Sequence, residues 1–125
     1  MIQEEGTGWR LAKDLSRGEF SWLIGGDHWA TELTEYEWKT LYQIVSDLLA
    51  QYKEQKKQLL NEESISIEIE REIWWCCIDG GTNHWSLKLI LSGDMLKRRG
   101  LEMYWPKNVA NEFVNAMRIM WDSSK

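Results

Sequence analysis

The stretch HWATELTEYEWKTLYQIV, residues 28–45, changes its hydrophobic period halfway along, and that change decides the fold. In HWATEL (28–33), Trp29, Thr31 and Leu33 fall on one face and His28, Ala30 and Glu32 on the other, the two-residue period of a strand. Thr34-Glu35-Tyr36-Glu37 then matches a capping box, in which the threonine side chain satisfies one orphan amide and Glu37 reaches back to another. Leu33 before the cap and Trp38 after it are placed as a hydrophobic staple. Trp38, Leu41, Tyr42, Val45, Leu48, Leu49, Tyr52 and Leu59 keep helical spacing, which predicts a helix running to about residue 60. Its late turns, polar from Lys53 to Gln58, are expected to project beyond the sheet, as an oligomer contact or a solvated end.

Working outward, GWRLAKDL (8–15) and EFSWLIGG (19–26) read as strands, with Gly25-Gly26-Asp27 as the reversal between the second of them and HWATEL. Downstream, SISIEIE (64–70) alternates Ile65, Ile67 and Ile69 with Ser66, Glu68 and Glu70, as a half-exposed antiparallel strand does. IWWCCID (73–79) is apolar on both faces, and Gly80-Gly81 turns it into HWSLKLIL (84–91). The loop SGDMLKRRG (92–100) leads to LEMYW (101–105), and Pro106 stands where the first turn of a helix accepts proline. Val109, Ala110, Phe113, Ala116, Met117, Met120 and Trp121 give that second helix its apolar stripe. The order is βββ-α-ββββ-α, an α+β fold of two antiparallel strand-rich halves, 1–61 and 62–125, each closed by a helix. The junctions WATELTEYEW and LEMYWPKNVANEF both run from an alternating strand straight into a helix, which points to a pseudo-repeat within a single domain, 1–125.

The length of 125 residues suits one domain of about 100–150. MIQEEGTGWR shows no apolar segment behind basic residues, and no uncharged apolar run approaches the ~20 residues of a membrane span. A cytoplasmic protein without membrane contact is expected. The net charge of −5 lies wholly in the first half: residues 1–64 carry 7 basic and 12 acidic side chains, residues 65–125 carry 8 of each. Such a field repels nucleic acid at long range, so binding needs a local basic patch. Lys97-Arg98-Arg99 is the candidate patch, with Lys88 near it, and a solvated loop is the alternative.

Catalytic and metal chemistry find little support. Cys76 and Cys77 are adjacent on a strand and point to opposite faces, so they do not share one ion, and neither CxxC nor paired Cys/His spacing occurs. Both read as small buried hydrophobes. His28 and His84 follow turns without a Ser-His-Asp order or a phosphate-cradling glycine motif around them. No catalytic residue, metal or cofactor is expected, and the chain reads as a non-enzyme. Nine tryptophans are more than the packing of one small domain requires, and most fall on inward registers. Because IWWCCID is apolar on both sides, its second face calls for a cover: another sheet segment, a partner subunit or a ligand. Trp74 and Tyr104, with Lys88 on a neighbouring strand, are the candidates for that non-core face.

The residues G-W-R-L near the start, LIGGDHWATELTEYEW, EESISIEIE, WSLKLIL and EMYWP together resemble the cyanobacterial domain-of-unknown-function family 1818, across nearly the whole chain. The resemblance implies no activity and no catalytic residues. It also implies a fold similar to the Whirly group of single-stranded-DNA-binding transcription regulators, in which two strand-rich halves each end in a helix. No counterpart of the Lys-Gly-Lys-Ala-type motif of Whirly proteins is present; the nearest stretch, SLKLIL, has only Lys88. Two functions follow as expectations. One is a single-stranded nucleic-acid-binding module using Trp74, Lys88, Lys97, Arg98, Arg99 and Tyr104; the other is a protein-interaction or assembly factor that buries the same face against itself or another chain.

Overall fold

The computed structural model describes residues 1–92 and 100–123. Strands β1 (Ile2–Gly6), β2 (Trp9–Lys13), β3 (Trp22–Gly25) and β4 (Ala30–Leu33) lead into helix α1 (Glu35–Gln55). Strands β5 (Ile65–Arg71), β6 (Trp74–Gly80), β7 (Trp85–Leu91) and β8 (Leu101–Trp105) lead into helix α2 (Ala110–Ser123). Each set of four is an antiparallel meander in chain order, so the two halves repeat one plan of four strands and a helix.

The first half has one strand more than its sequence suggests. β1 is exposed at every residue, so IQEEG shows no apolar alternation. It is held through its backbone, Ile2 opposite Lys13 and Gly6 opposite Trp9, and Gly8 at φ 83° supplies the left-handed turn between the two strands. α1 also ends earlier than expected, at Gln55, and a 3-10 turn (Lys56–Gln58) follows. Nothing apolar lies between Tyr52 and Leu59 to hold further turns. The end does not stand free, because the Tyr52 hydroxyl donates to the Gly81 carbonyl in the β6–β7 turn and Lys56 lies over the Tyr52 ring. Pro106 precedes α2 rather than opening it, and its carbonyl accepts from Val109 and Ala110.

The capping box forms as read: Thr34 Oγ1 accepts from the Glu37 amide at 3.1 Å and Glu37 Oε1 from the Thr34 amide at 2.8 Å. The staple residues Leu33 and Trp38 are both buried. α1 packs chiefly on β5 and β6, strands of the other half, while α2 packs on β1, β2 and β7. The helix of each half therefore covers the sheet of the other, and one core results. Large rings fill it. Trp22 stacks on Trp38 with centroids 4.0 Å apart, and Trp105 stacks on Phe113 at 4.1 Å. Trp105 also joins the sheets, its indole N–H donating to the Gly25 carbonyl at 3.0 Å.

Crossed cover makes the halves interdependent. Residues 1–61 and 62–125 produced as separate peptides are expected to lack fixed near-ultraviolet tryptophan dichroism, and an equimolar mixture to regain it. A first half that gives the native signal alone would overturn the crossed arrangement.

Candidate functional site

The second sheet has two unlike faces, and the register separates them. Toward the helices stand the rows Ile67–Ile78–Leu87–Trp105 and Ile69–Cys76–Leu89–Met103, with Trp74 between Arg71 and Leu91 in the next row. All but Ile69 and Arg71 among these are buried. Away from the helices stand Glu68–Cys77–Lys88–Tyr104 and Glu70–Trp75–Ile90–Glu102, followed by Ser66, Asp79 and Ser86. On this second face Trp75, Cys77, Lys88 and Ile90 are half-buried and Tyr104 is 52% exposed. It is the open face of the molecule and the candidate contact surface.

Trp74 does not belong to it. Its ring is 1% exposed beneath α1, and its indole N–H lies 3.1 Å from the Glu37 carbonyl and 3.2 Å from Thr40 Oγ1. The pairing of Trp74 with Cys76 and Ile78, and of Trp75 with Cys77, holds, but the two faces are exchanged relative to the sequence reading. The missed signal is Asp79: it shares the parity of Trp75 and Cys77, and a carboxylate on that side marks the solvent face. Trp75 and Ile90 thus join the site in place of Trp74. Lys88 and Tyr104 stand directly opposite each other on it. Lys97, Arg98 and Arg99 lie outside the described residues.

The face is acidic. Glu68, Glu70, Asp79 and Glu102 point from it, against Lys88 alone among the described strand residues. Lys88 is itself engaged, its Nζ 2.7 Å from Glu102 Oε1, and this hydrogen bond raises its pKa above the usual lysine value. Cys77 Sγ lies 3.3 Å from Ser66 Oγ, while Cys76 is buried on the other side, where burial first and the neighbouring Cys77 second push its thiol up to about 12. Both cysteines are free. Among the described residues no group of three His, Cys, Asp or Glu is placed to hold a metal ion, and no helix is long and apolar enough to cross a membrane.

A family profile, described as a domain of unknown function, DUF1818, matches residues 4–120. The chain belongs to the DUF1818 family. It is similar to a protein of unknown function from the DUF155 family of Prochlorococcus sp. NATL2A, known from a crystal structure, at 50% identity and a TM-score of 0.91 over 97% of this chain and 99% of that one. No curated protein matches it.

The exchange of faces predicts opposite costs for two neighbouring substitutions. Trp74→Ala should destabilise the fold by about 3–5 kcal/mol in urea titration, as loss of a fully buried ring does. Trp75→Ala should cost clearly less. The thiols differ likewise: a disulfide reagent should modify Cys77 quickly in the native protein and Cys76 only on unfolding. Cys76 keeps its proton in the folded state above the ordinary thiol value of 9.0, so the unfolded state binds fewer protons there. Stability is expected to fall as pH rises from about 9 toward 12, and Cys76→Ala to remove that part of the decline.

Proposed function

We propose that this DUF1818 chain is a non-enzymatic binding module that contacts a protein partner through the open face of its second sheet. The observation that carries the reading is the row Trp75–Ile90 beside Lys88–Tyr104, apolar and aromatic side chains half-open to solvent within a frame of carboxylates. An aromatic and aliphatic centre with a polar rim is how protein contacts are built. The acidic frame suits a basic partner surface and opposes a phosphate backbone. The module works without a cofactor or catalytic group, and a reducing cytoplasm suits its free thiols.

Single-stranded nucleic acid is the second reading, and Tyr104 favours it: an exposed ring opposite a lysine is a stacking platform. Lys97, Arg98 and Arg99 would supply the phosphate contacts there, and a fold similar to the Whirly group gives the precedent.

One pair of measurements divides the readings. Mixed-sequence single-stranded DNA and RNA are titrated into the protein at low salt while tryptophan fluorescence is followed, and partner capture is compared between the native chain and Ile90→Asp/Tyr104→Ala. The proposal expects a flat titration and a captured protein whose affinity drops about ten-fold or more in the variant. Saturable, salt-sensitive quenching that is lost in Arg98→Glu/Arg99→Glu would replace it with the nucleic-acid reading.

A further inference from the structure

Away from the open sheet face, a groove runs between α1 and α2 and encloses about 240 Å³. Its floor is apolar: Val45 and Leu49 from α1, Val114 and Met117 from α2, with Tyr42 as one wall. Two cations, Lys53 and Arg118, stand among the residues that line it, one from each helix. Neither forms an ion pair among the described residues, and Arg118 meets only Asn115 Oδ1 on its own helix, at 3.3 Å. The carboxylates close to Lys53 on α1 are committed elsewhere, Asp47 to Arg71 and Glu54 to Lys57, and Asp122 does not pair with Arg118. Two unpaired cations over an apolar floor are unexpected on a chain of net charge −5.

We propose that this groove binds a small amphiphilic monocarboxylate, its head between Lys53 and Arg118 and its tail along Val45, Leu49, Val114 and Met117. The ammonium and the guanidinium both donate charge-assisted hydrogen bonds, and the guanidinium offers its fork to one carboxylate. A phosphate-rich ligand fits worse, because the groove is lined by the middle of two helices, whose backbone amides are already bonded. The enclosed space holds about eight water volumes, enough for a short chain and too little for the row of anchors that a docked helix needs.

Tyr42 stacks on Trp121 with centroids 4.4 Å apart, which gives the groove an optical reporter. Hexanoate, octanoate and decanoate are titrated into the full chain by fluorescence and calorimetry, with octan-1-ol as the neutral control. Saturable binding of at least one carboxylate is expected, weaker by about ten-fold or more for the alcohol and for Lys53→Gln/Arg118→Gln. Both substituted positions are exposed, so that variant should keep the native melting curve. Ala50→Phe, which fills the groove from an exposed helical position, should abolish binding. Equal binding of octan-1-ol and octanoate would overturn the proposal, as would the absence of saturation with all three acids. Sedimentation is the third readout: self-association lost in Ala50→Phe, without any carboxylate response, would assign the groove to a second copy and overturn it too.

Discussion

The structure depends on crossed cover: neither sheet is closed by the helix of its own half. An antiparallel sheet with one apolar face needs something to bury that face, and here α1 lies on β5 and β6 while α2 reaches β1 and β2. The two repeats thus meet in a single core rather than side by side. This accounts for β1, which buries no side chain of its own yet extends the sheet beneath α2. It accounts as well for the capping box at Thr34, which sets where the chain leaves β4 to enter the other half.

Tryptophan is the material of that core because the space between two sheets and two crossing helices is wide. Trp9, Trp22, Trp38, Trp74, Trp85 and Trp105 are all buried. A ring of that size brings an N–H which must be satisfied. Trp9 donates to Glu112 at 3.2 Å and Trp22 to Glu35 at 2.5 Å, both carboxylates in the first turns of helices. Trp105 uses a backbone carbonyl of the opposite sheet. Trp38 is the exception among the described residues: its N–H has no hydrogen-bond partner, and its ring lies between Trp22 and Tyr42. The unusual tryptophan content is thus mostly structural, and only Trp75 brings an indole to the open face of the second sheet.

That open face follows from the same economy of layers. With both helices on the inner sides of the sheets, the far side of β5 to β8 has no covering element. Cross-strand neighbours half-bury Trp75, Cys77 and Ile90, and carboxylates surround them. The Lys88–Glu102 pair neutralises the one cation among them and leaves the face acidic.

Much of this was legible from the residues alone. The alternation of Ile65, Ile67 and Ile69, the capping box at Thr34 and the helical stripes of α1 and α2 are local patterns, and local backbone physics suffices to read them. So is the grouping of Trp74 with Cys76 and of Trp75 with Cys77, since strand geometry sends neighbours to opposite sides. Tyr104 and Lys88 were found for the same reason. Strand β1 was not legible, because an exposed edge strand is held by backbone pairing with β2 and leaves no mark in side-chain pattern. The end of α1 was missed because Leu59 continues the helical spacing although nothing packs against the turns before it. Which side of IWWCCID meets the helices is not a local property either: both sides are apolar, and the choice is made by α1 arriving from the other half to accept Trp74 at Glu37 and Thr40. Local sequence determined the elements and their registers; only the crossing of two helices over two sheets decided which tryptophans became core and which face was left open.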